Sequence, residues 1–293
     1  MSATPLPAQL AASPAQGQWR TVLRHRWPLR LMHWINLACM LAMVGSGLQI
    51  LNAHPALYWG EASHFDSPLA SASAVTRDGE LRGITQVGNA RFDTTGVLGA
   101  TTNPNGVRAR AVAPSWAMIP GSRNLAAGRR WHFFFAWAWV INGATYLLWS
   151  LASRHLQRDL VMQRRDWREV PKSIFDHLRF RHPVGEEAAR YNPLQKLAYL
   201  GVIFGLTPLI VLTGLSMSPQ MDGVMGGFIE LVGGRQSART LHFIAMSLFL
   251  LFAVVHVLMV VYAGPINEMR SMLSGRFRIR IDAQSNKGES GNE

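Results

Sequence analysis

The sequence predicts an all-α integral membrane protein, a four-helix bundle with a long extracytoplasmic loop between its first and second helices. Three observations carry that prediction. Residues 31–51, 131–151, 197–217 and 241–261 are each 21 residues without a charged side chain, and about 20 apolar residues suffice for a helix to cross the hydrocarbon. The chain is 48% hydrophobic and only 16% charged. Its 29 Lys+Arg against 17 Asp+Glu are gathered between the apolar stretches, not spread as a basic face on a soluble domain, which argues against nucleic acid as a partner.

In chain order, residues 1–21 are rich in Ala, Pro, Ser and Gln, with no apolar core of a cleaved leader, and read as a disordered cytoplasmic tail. The membrane domain follows over 22–275, and 276–293 is expected to be a polar cytoplasmic tail. Orientation follows the basic residues. Segment 153–192 holds nine Lys+Arg, whereas 218–238 holds only Arg235. By the positive-inside rule both termini and segment 153–192 are cytoplasmic, the expected location being a bacterial inner membrane. That rule accounts for the basic segment without a bound partner or anionic lipid, although such a segment is able to attract membrane lipid.

Residues 52–130 form a 79-residue outer loop, too long for an ordinary connection and therefore a candidate docking element or lid. Within it, 84–87 and 90–94 flank Gly88-Asn89 as a hairpin, and 114–120 reads as an interface-lying segment. In the third span Gly201, Gly205, Pro208 and Gly214 predict close packing and a kink. Cys39 is the single cysteine, so no disulfide or cysteine-held cluster is available and it is expected to pack. No internal repeat is evident.

The chemistry resides in histidines. His242 and His256 lie fourteen residues apart in one uncharged helix, almost four turns, so they share a face about 21 Å apart along the axis. Imidazoles in hydrocarbon need partners. His33 enters the first span from the inner side and His132 the second from the outer side. The outer level thus holds His132 and His242, and the inner level His33 and His256. Two axial ligands at each of two depths predict two bis-histidine haems, with no position left open for substrate. Gly47, fourteen residues after His33, and Gly143, eleven after His132, fall where the other macrocycle needs room, although small residues also serve ordinary helix packing. Arg30, Arg129, Arg130 and Arg239 lie at depths suited to haem propionates or to plain interfacial anchoring. His25, His54, His64, His155, His177 and His182 lie in collars or loops, where a solvated surface role is expected.

These residues bear a family resemblance. Arg30-Leu31-Met32-His33-Trp34 with Ser46-Gly47-Leu48, Gly128-Arg129-Arg130-Trp131-His132, Tyr191-Asn192-Pro193-Leu194-Gln195-Lys196, and the His242/His256 pair resemble the di-haem membrane cytochrome b family. Its members include the cytochrome subunits of nickel–iron hydrogenase, formate dehydrogenase and thiosulfate reductase, and relatives paired with molybdopterin oxidoreductases. The resemblance covers roughly residues 22–275. It implies two b haems, His33, His132, His242 and His256 as the iron ligands, a periplasmic oxidoreductase partner, and electron exchange with quinone near the inner haem. Asn192 matches an asparagine near the quinone pocket of the formate dehydrogenase type, with Leu194 where that type has a glycine. Its position before Pro193 equally suits a helix cap. The longer outer loop favours, by analogy, a molybdopterin-type partner.

Two other functions fit parts of the pattern. A self-sufficient membrane oxidoreductase of the superoxide:quinone type shares the helical plan but gives the 79-residue loop no role. A proton-coupled transporter with a histidine relay needs acidic groups in the spans, and the four stretches contain none.

Overall fold

The structure is a computed structural model that describes residues 18–121, 123–179 and 191–281. Strand β1 (Gln18–Leu23) leads into helix α1 (Trp27–Leu51), which opens with Pro28 in its first turn, a position where the missing N–H costs nothing. The outer loop then folds into β2 (Ala56–Leu57), β3 (Ala70–Arg77), β4 (Glu80–Val87) and β5 (Ala90–Asp93), an antiparallel sheet in that order, with β6 (Gly99–Thr102) and β7 (Arg108–Ala111) paired beside it. Helix α2 (Leu125–Ala152) follows, then α3 (Arg164–Leu178), α4 (Pro193–Ser216), α5 (Asp222–Leu231), α6 (Arg235–Ala263), α7 (Pro265–Ser274) and strand β8 (Arg276–Ile281). Helices α1, α2, α4 and α6 are each long and apolar enough to cross a membrane.

Three expectations change. The all-α prediction holds for the membrane part but not for the loop. The hairpin around Gly88-Asn89 is present, with Val87 opposite Ala90. A second hairpin joins β3 to β4 at Asp78-Gly79, whose φ values are 52° and 77°. Asp-Gly is a strong signal for such a turn that the sequence reading passed over. The loop domain is closely built: a Cβ on Gly83 would stand 2.1 Å from the Leu98 carbonyl oxygen, and one on Gly99 would stand 2.2 Å from that of Ser73. Only glycine permits that approach.

The tail boundaries also change. Residues 18–21 and 276–281, expected in tails, form an antiparallel ribbon of β1 and β8, with Leu23 opposite Arg276 and Trp19 opposite Arg280. Alternation is the cause: in Arg276-Phe277-Arg278-Ile279 the apolar residues are buried and the arginines exposed, the two-residue period of a half-buried strand. Residues 1–17 and 282–293 lie outside the described residues.

The helices, finally, begin earlier than their apolar stretches. Asn124 caps α2 by accepting the Ala127 N–H at 2.9 Å, and Asn192 caps α4 through Leu194 and Gln195. Such caps satisfy orphan amides of the first turn. Helix α4 carries a π-helical segment, Gly201–Leu206, just before Pro208. That wide turn is how the expected irregularity is realised, because proline offers no N–H to the preceding turn.

Packing inverts the soluble pattern. Ser46, Gln49, Ser150, Thr213, Ser216 and Ser237 are among the most buried side chains, whereas Leu41, Leu148, Leu251 and Val254 face outward. Small and hydroxylic residues let helices approach closely where lipid is the solvent. Helix α1 packs along α2 and α4 along α6, whereas α6 makes no such extended approach to α1 or α2. Asn142 joins the first pair, donating to Met32 O at 2.9 Å and Asn36 Oδ1 at 2.7 Å.

Candidate functional site

The gap between α6 and the α1–α2 pair is where the four histidines meet. At the loop end His132 of α2 faces His242 of α6 with ring centroids 6.3 Å apart; at the other end His33 of α1 faces His256 of α6, also at 6.3 Å. All four histidines are only partly buried.

The loop-end rings are held in matching ways. His132 Nδ1 lies 3.2 Å from Met43 O and 3.2 Å from Ser46 Oγ. His242 Nδ1 lies 3.0 Å from Ile210 O and 3.2 Å from Thr213 Oγ1. A carbonyl oxygen only accepts, so Nδ1 carries the proton in both rings and Nε2 keeps its lone pair. The hydroxyl protons are committed elsewhere, Ser46 to Ala42 O at 2.6 Å and Thr213 to Leu209 O at 2.7 Å. A glycine completes each seat: a Cβ on Gly47 would stand 3.5 Å from His132 Cε1, and one on Gly214 would stand 3.2 Å from His242 Cε1. Met43-Val44-Gly45-Ser46-Gly47-Leu48 and Ile210-Val211-Leu212-Thr213-Gly214-Leu215 therefore repeat one device, although no repeat was evident beforehand. Gly214 and Thr213 are the site residues the sequence reading missed. The shared Val, hydroxyl, Gly and Leu positions were the signal.

The other pair is built differently. His33 Nδ1 is buried without a hydrogen-bond partner. His33 meets Trp34 edge-on at 5.4 Å, and His256 stacks on Phe252 at 6.1 Å and 16°. What ties the α1 side to this end is a clasp onto α7, the helix that follows α6. Arg24 Nη1 bonds both Glu268 carboxylate oxygens at 2.9 Å, and its guanidinium lies 4.5 Å above the Phe277 ring. Trp34 Nε1 donates to Met272 O at 3.2 Å, and Arg24 N to Gly275 O at 2.8 Å. His25 and His155, expected as solvated collar residues, are buried to 7% and 9% exposure. The reason is packing: His25 lies against Tyr191, and His155 lies against Trp149 with Nδ1 2.7 Å from Asp159. Burial, then the neighbouring Arg24, lowers the His25 pKa to about 4.

The remaining predicted residues have plain positions. Around Gly143 there is open space for a Cβ, whereas Gly47 makes room for an imidazole. Arg30 donates to Leu273 O within the clasp, and Arg239 to His54 O in the loop. Arg129 lies 5.8 Å over Phe133, and Arg130 is exposed. Asn192 Oδ1 accepts from Leu194 N, Gln195 N and Ser173 Oγ, so its carbonyl side is engaged in capping α4. Cys39 is buried and free. His64 is exposed, and His54 packs on Tyr58 and Phe65. The side chain of His177 and all of His182 lie outside the described residues.

These residues fit a metal that arrives with ligands of its own. A metal bonded at about 2 Å to each of two imidazoles separates the ring centres by roughly the distance seen in both pairs. Among the described residues no group of three or more His, Cys, Asp or Glu side chains converges. Two imidazoles alone are a poor cage for a bare ion, but they complete the coordination of a porphyrin iron.

A family model described as prokaryotic cytochrome b561 matches residues 24–275. Among curated relatives, YedZ1 of Azospira oryzae, provisionally assigned as a protein-methionine-sulfoxide reductase subunit, is 32% identical over 46% of this chain and 66% of its own length. A Cupriavidus necator protein, provisionally assigned as a Ni/Fe-hydrogenase B-type cytochrome subunit, is 29% identical over 43% of this chain and 56% of its own. The chain thus spans less than two thirds of either relative. No solved structure matches it.

Proposed function

The chain belongs to the prokaryotic cytochrome b561 family, which implies a b-type haem, and from that premise we propose that it is a di-haem electron-transfer subunit linking an oxidoreductase partner to the quinone pool. The observation that carries this reading is the pair of imidazole pairs, each at 6.3 Å and one at each end of the uncharged stretch 241–261 of α6. His132 and His242 would hold one haem and His33 and His256 the other. Bound there, haem supplies one-electron carriage without an open coordination position.

The protein's own contributions follow from the geometry. Backbone carbonyls of Met43 and Ile210 fix the tautomer of the loop-end imidazoles and raise their basicity as ligands. Helix α6 sets the spacing of the two sites. The loop domain covers the His132/His242 end and, in this reading, meets a partner outside the cytoplasm. Both named relatives are assigned to redox enzymes, which supports an oxidoreductase partner, of molybdopterin type by analogy with the loop length. Quinone would exchange near the His33/His256 end, on the cytoplasmic side of a bacterial inner membrane. Because the Asn192 carbonyl is taken up by the helix cap, its part in a quinone pocket would be limited to its amide N–H groups.

The test is haem counting on purified protein expressed with ample porphyrin. Wild type is expected to bind two haems per chain, and His132→Ala or His242→Ala one, with the His33/His256 absorption intact. Equal haem in wild type and these variants would overturn the pairing.

A further inference from the structure

The surface around the clasp has a composition its internal contacts do not explain. On α7, Ile266, Met269 and Leu273 are all exposed. At 3.6 residues per turn they fall within about 60° of one another. The opposite side of α7 is engaged with the protein: Glu268 pairs with Arg24, Ser271 is fully buried, and the Met272 carbonyl takes the Trp34 indole N–H. Gly264, at φ 107°, turns the chain directly from α6 into α7. One residue thus separates the stripe's helix from α6, whose Leu251, Val254, Leu258 and Val261 are also exposed. Beside it the β1–β8 ribbon shows Thr21 and Leu23 on one face, across from Arg278 and Arg276, with Trp19 two residues along the same strand. Trp19, Leu23, Arg276 and Arg278 are exposed, and no acidic residue lies in either strand.

We infer that α7 and the β1–β8 ribbon form a docking surface for an anionic phospholipid leaflet, with α7 lying in the interface and Arg276 and Arg278 engaging headgroup phosphates. Chain continuity selects lipid as the occupant: α7 starts one residue after a helix long and apolar enough to cross a membrane, which places α7 at the membrane boundary. An exposed tryptophan beside arginines is the composition of an interfacial belt, and a helix with one apolar and one engaged face rests at the headgroup–acyl boundary. The charge complementarity is one-sided, which favours anionic over zwitterionic lipid. This inference rests on α6 crossing the membrane and not on the haem assignment.

The experiment uses full-length protein in nanodiscs of phosphatidylcholine alone or mixed with phosphatidylglycerol, with nitroxides placed at Leu273→Cys, Leu258→Cys and Val107→Cys in a Cys39→Ala background. The Leu273 label should relax with oxygen and be shielded from a water-soluble nickel complex, as at Leu258 and unlike Val107. A label at 273 as wet as the one at 107, while 258 stays in hydrocarbon, overturns the proposal and points to a protein partner for the stripe. A wet label at 258 would instead refute the transmembrane placement. In Arg276→Gln/Arg278→Gln, the preference for retained phosphatidylglycerol should fall roughly fivefold per arginine, with the haem spectrum unchanged. Unaltered retention would overturn the headgroup role.

Discussion

The two histidine pairs have the same centroid separation and opposite support. At the loop end each imidazole is gripped locally, Nδ1 against a carbonyl and a hydroxyl oxygen of the neighbouring helix, with a glycine clearing its path. At the clasp end His33 Nδ1 has no hydrogen-bond partner, and the helices are tied together instead, by Arg24–Glu268 and the β1–β8 ribbon. One site is organised by side-chain seats, the other by a distant fastening. They should therefore fail in different ways.

The largest effect separates the sites outright. His242→Ala and His256→Ala both lie on α6, yet under the proposed two-haem arrangement each should remove only the haem at its own end, read as one haem per chain with distinct residual spectra. Next, Gly214→Val drives a branched side chain into a ring that even a methyl would crowd at 3.2 Å. The loop-end haem should be largely lost, whereas Gly143→Ala, with open space around it, should leave haem content unchanged. Third, Arg24→Glu leaves Glu268 without its partner in a poorly solvated position, a loss of roughly 3 kcal/mol. Haem occupancy should fall at the clasp end alone, and Arg24→Glu/Glu268→Arg should recover most of it. Depletion at both ends would erase the contrast.

Acid sharpens the comparison further. The folded His25 imidazole has its pKa lowered to about 4 from the ordinary 6.5. Between those values the unfolded segment binds a proton that the folded clasp excludes. Stability is thus fully present above pH 6.5 and falls as the pH drops toward 4, by roughly 3 kcal/mol in all. Hydrogen exchange in 18–23 and 276–281 should accelerate over that window, and His25→Gln should flatten the dependence. The smallest effect belongs to Thr213→Val, which removes one acceptor from His242 and leaves the Ile210 carbonyl. Haem affinity should drop about tenfold, measured by competition with apomyoglobin, and the loop-end reduction potential should rise because the ligand becomes less basic. The clasp-end potential should stay where it was.

The membrane helices and the grouping of the four histidines by depth were readable in the sequence because apolar length and helical spacing are local properties. The irregular third span was readable for the same reason, from Pro208 and its glycines. What supports the rings was not. Gly214 and Thr213 acquire meaning only when α4 lies beside α6, and nothing in the third span itself marks them except likeness to the first. The burial of His25 and His155 was likewise hidden, because a basic collar reads as solvated until Tyr191 and Trp149 are seen to cover it. The clasp joins residues 244 positions apart, a pairing that no window along the chain contains. The loop domain was legible at one turn, Gly88-Asn89, and missed at Asp78-Gly79.

Helix α6 starts without a cap of its own. Gly234, at φ 113°, supplies no side chain, and the first amides are taken by the loop: Gln236 N and Ser237 N bond Gly60 O at 3.0 and 3.2 Å, and Arg235 N bonds Glu61 at 3.3 Å. The Tyr58 carbonyl also accepts the Thr240 hydroxyl at 2.6 Å, two residues before His242. The start of α6 is thus finished by Tyr58, Gly60 and Glu61, a segment far upstream in the sequence, which orders assembly. The loop domain must fold before α6 acquires a firm beginning, so a folding defect in that domain would reach His242 through the first turns of its helix.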